Sequence, residues 1–198
     1  MAHHPTTGGT LGHVFRRTIH VTIAVIPILY YSIANAATHH LGFSVHYLVV
    51  LALLLNIGFE IWRLRKGITL PGHRHHEKTH PASFFWGTLS ICLVLLLVPG
   101  GTPGGEAFAV PIIWGCAFAD PIIGELRTRG YPFYFVAPIG MLVVLLVWLF
   151  AAYWFDINYW WGLLMAPVTV AVEWPKVRYI DDNMTMMLVP LFLVILIH

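Results

Sequence analysis

Residues 173 to 185 read Glu-Trp-Pro-Lys-Val-Arg-Tyr-Ile-Asp-Asp-Asn-Met-Thr, a charged stretch set between two apolar runs. Glu173, Asp181 and Asp182 stand there with Lys176 and Arg178 between them. A charged side chain deep in hydrocarbon costs about 2.5 to 3.5 kcal/mol on insertion scales, so the stretch belongs at a membrane surface. Pro175 has no N–H to give a helix and is expected to end the preceding one. Asp181, Asp182 and Asn183 are each good N-caps for the next. One cap is enough, so the second aspartate and Glu173 require another reason. Carboxylates that hold Mg²⁺ on nucleotide phosphates supply one.

The rest of the chain fits that surface. It is 58% hydrophobic and 10% charged, with a mean hydropathy of +0.75, which places its 198 residues in the membrane class. Apolar segments at about 17–37, 43–63, 82–98, 106–125, 132–155, 159–174 and 184–197 predict an all-α, polytopic helical bundle of about seven transmembrane helices, forming a single domain over 1–198. Arg16 and Arg17, the basic run from Arg63 to Lys78, Arg127 with Arg129, and Lys176 with Arg178 all fall on one side of that bundle. The opposite connections carry only Glu106 and Asp156. The positive-inside rule then puts the N-terminus and the charged face in the cytoplasm, in a bacterial inner membrane or endoplasmic reticulum type of bilayer. No cleaved signal peptide is expected from residues 1–12. A net charge of +2 with no long basic block excludes a nucleic-acid partner. Membrane lipids surround the chain on this reading, and a homo-oligomer is compatible with it. Cys92 and Cys116 lie in apolar runs and suggest neither disulfide nor metal.

Three further constellations carry chemistry. Arg16 and Arg17 either snorkel to headgroups or clamp phosphate through their planar forks, and His20 lies one turn deeper on the face of Arg16. Asp120 stands near the end of an apolar segment, where it is either bridged to Arg127 or a metal ligand; Pro121 and Gly124 are expected to loosen the helix there. Residues 76–80 spell His-Glu-Lys-Thr-His, the spacing of a zinc hydrolase, yet Pro81 follows at once and no apolar helix frames His76, Glu77 and His80. A solvated basic loop is the simpler reading. Glu60 is expected to pair with Arg63 across one turn rather than to act chemically. The glycine-rich turn at 99–105 lacks the Gly-Lys-Ser/Thr of a phosphate loop.

Glu173 followed by Ile-Asp-Asp-Asn-Met-Thr at 180–185 resembles the closing signature of the CTP-dependent lipid kinases, the family of dolichol kinase, phytol kinase and yeast-type diacylglycerol kinase, itself distantly similar to phosphatidate cytidylyltransferases. Arg16-Arg17-Thr-Ile-His20 looks like the family's opening Arg-Lys-x-x-His, Glu60 to Arg63 and His76 to Pro81 like its helix end and basic loop, and Asp120 stands in place of its central Gly-Asp, preceded here by Ala119. The family's Lys-Ser-x-Glu-Gly block has no counterpart, because residues 130–140 carry no charge. The resemblance implies phosphorylation of a lipid alcohol by a cytosolic nucleotide, CTP, with Mg²⁺. It implies Asp120, Glu173, Asp181 and Asp182 as metal ligands. Arg16, Arg17, Arg127, Arg129, Lys176 and Asn183 would bind the nucleotide, and His20 or a carboxylate would serve the acceptor hydroxyl. Nucleotidyl transfer of the cytidylyltransferase kind, a non-catalytic lipid-binding role, and zinc hydrolysis are the alternatives.

Overall fold

A computed structural model describes residues 7, 9–41, 44–100, 104–175 and 180–198; Lys176, Arg178 and residues 101–103 of the glycine-rich turn lie outside them. Eight α-helices follow in order among the described residues: α1 Gly9–Thr22, α2 Val25–Leu41, α3 His46–Lys66, α4 Ser83–Leu97, α5 Glu106–Thr128, α6 Phe133–Phe155, α7 Trp160–Ala171 and α8 Asp182–Ile197. There is no strand among them. Each apolar segment has become helix, with one division and several shifted ends. The first segment is split between α1 and α2, because Pro27 cannot donate to the carbonyl of Ile23 and its ring crowds that turn. α2 then continues through the expected break at 38 to Leu41, and α7 stops at Ala171, well before Pro175.

Four stretches are long and apolar enough to cross a membrane: Leu11–Ala34, His46–Lys66, Glu106–Thr128 and Phe133–Phe155. At 1.5 Å per residue α4, α7 and α8 reach only about 22, 18 and 24 Å against a hydrocarbon core of about 30 Å. α5 is the centre of the bundle. It packs against α6, α8, α1 and α2, and Ala109, Ile113, Cys116, Ala119 and Ile123 on it are buried. Pro111 and Pro121 lie inside this helix without interrupting it, so the loosening expected at Pro121 is limited to one missing backbone bond. The indole N–H of Trp114 donates to the carbonyl of Ala24 at 2.7 Å and fastens the α1–α2 elbow to α5.

Ring contacts fix the helix directions. Phe108 near the start of α5 meets Trp161 at the start of α7 and His198 beyond the end of α8, with centroids 5.3 and 5.1 Å apart. Arg127 near the end of α5 meets Glu173 after α7, at 3.1 Å. The end of α5 that carries Arg127 therefore lies with the turn after α7, and its start lies with the beginning of α7 and the end of α8.

The connection from α3 to α4 is built on Arg63, which is 0% exposed. Its Nε and Nη2 donate to both oxygens of Glu60 at 2.7 and 2.6 Å, and its remaining donors reach the carbonyls of Ile68, Glu77 and His80. Glu60 also accepts the N–H of Ala82 at 2.8 Å. The pair expected from sequence is present, and it also ties down the whole loop. Gly67, at φ +62°, ends α3 in the left-handed conformation that glycine adopts without steric cost.

His73 is buried in this loop against Phe84, centroids 5.6 Å apart. Burial lowers its pKa, with Glu77 and Glu60 opposing that shift and Arg63 and Arg16 adding to it. The folded loop therefore binds fewer protons at His73 than the unfolded chain does, so its stability is complete above about pH 6.5 and erodes as pH falls below that. Amide exchange of residues 67–80 is expected to accelerate between pH 7 and pH 5 after correction for intrinsic rates. His73→Phe is expected to flatten that dependence.

Candidate functional site

Five segments bring polar groups to the charged end. α1 supplies Arg16, Arg17 and His20; the α3–α4 loop with the first residue of α4 supplies Arg74, Glu77 and Ser83; α5 supplies Asp120 and Arg127; the turn after α7 supplies Glu173; and the start of α8 supplies Asp181, Asp182 and Asn183. The register between α5 and α8 is set by Cys116, whose thiol lies 3.7 Å from Asn183 Oδ1. Asp120 is one turn further along the same face of α5. Thr185 donates to the carbonyl of Val172 at 3.1 Å and holds the end of α7 against the first turn of α8.

As a result Asp120, Glu173 and Asp182 converge, each offering one carboxylate oxygen within 4.8 Å of the others. Two ligands on opposite sides of one Mg²⁺ are about 4.2 Å apart, twice the usual Mg–O distance of about 2.1 Å. Three atoms that lie within 4.8 Å of one another share a point no more than about 2.8 Å from each, against that Mg–O distance of about 2.1 Å. Carboxylates at such spacing repel one another when ionised, and burial together with Asp181 and Asp120 pushes the Asp182 carboxyl well above the ordinary carboxylate range. These are hard oxygen donors carried by three separate segments, the donor type that hard divalent cations take.

Cations surround the trio. Arg17 Nη1 is 3.7 Å from Asp120 Oδ2, and Arg127 Nη1 is 3.1 Å from Glu173 Oε1 while its guanidinium also lies over Trp174. The expected Asp120 to Arg127 bridge is replaced by these two pairs. Positions 120 and 127 are two turns apart on α5, about 10 Å along the axis, so Arg127 reaches a neighbouring segment more easily than Asp120. His20 Nε2 lies 3.4 Å from Asp120 Oδ2 and 3.3 Å from the carbonyl of Cys116. A carbonyl can only accept, so Nε2 carries a proton in this contact.

Asp181 takes a different part from the one expected. Its Oδ1 accepts the N–H of Asn183 at 3.2 Å as the N-cap of α8, and its Oδ2 lies 2.7 Å from Ser83 Oγ. Both oxygens are committed, and Asp181 lies outside the trio. Burial raises its pKa, but Arg16, a hydrogen bond from Asp182, Arg74 and Ser83 outweigh that and hold it below the ordinary carboxylate range. Arg129 pairs with Glu125 on an exposed turn of α5 at 2.9 Å and does not join the site. Lys176 is outside the described residues.

Ser83 and Glu77 belong to the site although sequence reasoning gave them no part in it together. Ser83 Oγ is 2.7 Å from Glu77 Oε1 as well as from Asp181, and it accepts from Arg16 Nη2 at 2.9 Å. A hydroxyl has one proton, so the two carboxylates share a single donor. Glu77 points inward, accepting the N–H groups of Arg74 and Ser83. His76, exposed on a short 3₁₀ turn over His75–Lys78, and His80, two residues beyond that turn, stand side by side with centroids 6.3 Å apart. The glutamate and histidines of the zinc-like motif therefore face different ways. The only advance signal for Ser83 was its place directly after Pro81-Ala82 at a helix start.

Gly124 has a reason of its own. A Cβ there would lie 2.6 Å from Arg17 Nη2, so glycine is what lets the guanidinium lie across α5 toward Asp120. Gly124→Ala is expected to displace Arg17 and, on the nucleotide-binding reading proposed below, to weaken nucleotide binding roughly tenfold, the loss of about 1.4 kcal/mol. Thermal stability should hold or rise, since alanine favours helix over glycine by about 1 kcal/mol. Equilibrium nucleotide binding and a melting curve on the same preparation check this.

No family model, curated protein or solved structure matches the chain.

Proposed function

We propose that this protein is a multi-pass membrane phosphotransferase that moves the terminal phosphate of a nucleoside triphosphate, CTP by the resemblance of its motifs, onto the hydroxyl of a lipid alcohol. The observation that carries the reading is the convergence of Asp120, Glu173 and Asp182 within 4.8 Å, among arginines. That cluster borders the polar end of an apolar cavity lined by Arg16, His20, Ser83 and Asn183. Mg²⁺ held by the trio would neutralise the phosphate oxygens and favour departure of the nucleoside diphosphate. Arg17 and Arg127 would hold charge on the transferred group from its two sides. The hydroxyl oxygen would bond to the terminal phosphorus as the bond to the bridging oxygen breaks, with the hydroxyl proton passing to Nδ1 of His20. Asp120 would fix that ring through Nε2, the role an orienting carboxylate has beside a histidine base.

The membrane placement has its own support. On α6, Tyr134 and Tyr153 are 79% and 77% exposed and are separated by about 28 Å along the helix, close to the thickness of the hydrocarbon core. Amphipathic rings at that spacing suit the two interfaces. All seven apolar segments would cross, α1 and α2 forming one passage and the short helices tilting little. The N-terminus and the site would then face the cytoplasm. Cysteines introduced at positions 66 and 157 in a Cys92→Ala, Cys116→Ala background should react with an impermeant maleimide from opposite sides of intact vesicles.

The test of function is a transfer assay on the detergent-solubilised chain. CTP and ATP labelled in the terminal phosphate are compared against a polyprenol, a phytol-like isoprenoid and diacylglycerol, with and without Mg²⁺. Label in an alcohol, dependent on Mg²⁺, is expected; nucleotide binding without any transfer would overturn the reading in favour of a lipid-binding role. A second reading, nucleotidyl transfer to a lipid phosphate, is favoured by one detail. Arg16 Nη1 is buried, 3.6 Å from Glu77 Oε1, and makes no hydrogen bond, which suits an anionic head. Release of pyrophosphate when a lipid phosphate replaces the alcohol would establish it.

A further inference from the structure

The α1–α2 arm on one side and α3 with α4 on the other enclose a cavity of about 480 Å³, within the usual range for small-molecule sites. Its wall on α4 is one stripe, Ser83, Gly87, Thr88, Ile91, Cys92 and Leu95. From Ser83 to Leu95 that stripe runs about 18 Å, a little more than one leaflet of a core about 30 Å thick. The facing wall is a single stripe as well, running from His20 through Ile23 and Ile26 to Tyr30 and Ile33. Spread over that length of about 18 Å, a volume of about 480 Å³ has a mean cross-section of about 27 Å², room for one extended hydrocarbon chain and not for two side by side, with Leu48, Val49 and Ala52 of α3 forming a third wall.

Gly87 shows that the space is kept open by the sequence. Glycine inside a helix costs about 1 kcal/mol relative to alanine, and in a packed bundle that cost is ordinarily offset by a neighbour filling the vacated space. Val144 lies over Gly115, Ile123 and Val170 over Gly140, and Leu145 and Trp148 over Gly162. Gly87 is buried, yet a Cβ built on it meets nothing within 4 Å. The missing side chain opens onto the cavity instead of onto protein.

The cavity also has a side opening and a polar end. Ile26, Leu29, Ile33 and Leu48 line it and are still 39%, 53%, 50% and 47% exposed, so it is open laterally between α2 and α3, toward the lipid. At its other extreme lie Arg16, His20, Ser83 and Asn183, with His20 3.4 Å from Asp120. A ligand lying here has a hydrocarbon tail along α4 and a polar head against the carboxylate cluster.

We propose that this cavity binds the acceptor by a single hydrocarbon chain, admitted sideways from the bilayer between α2 and α3, with Gly87 providing room for the chain beside α4. The acceptor class is thus a one-chain alcohol, prenyl or alkyl, and not a two-chain glycerolipid. This rests on the phosphotransfer reading for the chemistry of the head, while the place of the tail stands on the cavity alone.

The experiment uses the full chain in lipid nanodiscs with a hexadecanol-type alcohol carrying a diazirine near its tail end. Labelled peptides are mapped after irradiation, and nucleotide binding is measured separately. Label is expected on α2 and α4, in the regions of Ile33 and Leu95, and competed by unlabelled phytol but not by diacylglycerol. Gly87→Leu, which fills the channel with a better helix former, is expected to cut labelling at least tenfold and leave nucleotide binding unchanged. Should Gly87→Leu not fold, Gly87→Ala is read instead, with a partial loss of labelling expected. Label elsewhere, labelling indifferent to both substitutions, or equal competition by diacylglycerol overturns the proposal. Label in the cavity without phosphate transfer to any alcohol overturns the phosphotransfer reading alone. Transfer that persists in Gly87→Leu with label elsewhere overturns the cavity assignment alone.

Discussion

Asp182→Asn and Asp120→Asn are each expected to lower phosphate transfer by more than about 100-fold, beyond the 10- to 100-fold that loss of a supporting partner to a metal ligand typically costs. Both changes keep the shape of the side chain and remove its charge. The two substitutions act on different surroundings. Asp120 is paired with Arg17 and His20, so an amide in its place would also loosen the ring proposed to take the hydroxyl proton. Asp182 makes no ion pair within 4 Å among the described residues, and its hydrogen bond to Asp181 is one that an amide can still donate, so its loss should act mainly on the metal. Raising Mg²⁺ is therefore expected to recover part of the activity of Asp182→Asn and less of that of Asp120→Asn. Single-turnover transfer rates over a Mg²⁺ series, with size-exclusion profiles to confirm folded protein, measure both. Activity retained in both variants would remove the metal role from this cluster.

Arg63→Met is expected to cost about 3 to 5 kcal/mol, the usual penalty for removing one partner of a buried ion pair. Glu60 would stay behind in a site where it is 5% exposed, and the carbonyls of Ile68, Glu77 and His80 would lose their donor. Against a typical total stability of about 5 to 15 kcal/mol this is a large share. The site would suffer as well, because Glu77 and Ser83 hang from the same loop and position Arg16 and Asp181. Thermal unfolding in detergent should show a fall of many degrees. Replacing both residues, Glu60→Leu with Arg63→Met, is expected to recover part of it, because no charge is then left unpaired. An unchanged midpoint in Arg63→Met would mean the loop is held by something else.

Much of the helical layout could be read from the chain because lipid-soluble runs admit few alternatives to helix. The breaks were harder. Pro27 stood in plain view inside the first apolar segment, but its effect depends on Trp114 binding the elbow to α5 from 90 positions away. The acidic residues of the site were readable because charge beside apolar sequence needs a reason, and Asp120, Glu173 and Asp182 do converge. Their partners were not readable. Arg127 turns to Glu173 and not to Asp120, and Asp181 is spent on capping and on Ser83, since both outcomes depend on which helices become neighbours. Ser83 carried only the signal of a helix start after Pro81-Ala82. Its contacts to Arg16 and Asp181 span 67 and 98 positions, distances at which local pattern says nothing. Glu77 was misleading for the opposite reason, since chance placed it between two histidines while the fold turned it inward.

The most direct measurement is Mn²⁺ binding, followed by electron paramagnetic resonance on the detergent-solubilised full chain, with and without CTP. The account predicts a Mn²⁺ site that tightens when CTP is present and is lost in both Asp120→Asn and Asp182→Asn, while Glu125→Gln, at the exposed pair with Arg129, leaves it unchanged. Mn²⁺ binding that is absent with nucleotide present, or that survives both aspartate substitutions, would contradict it.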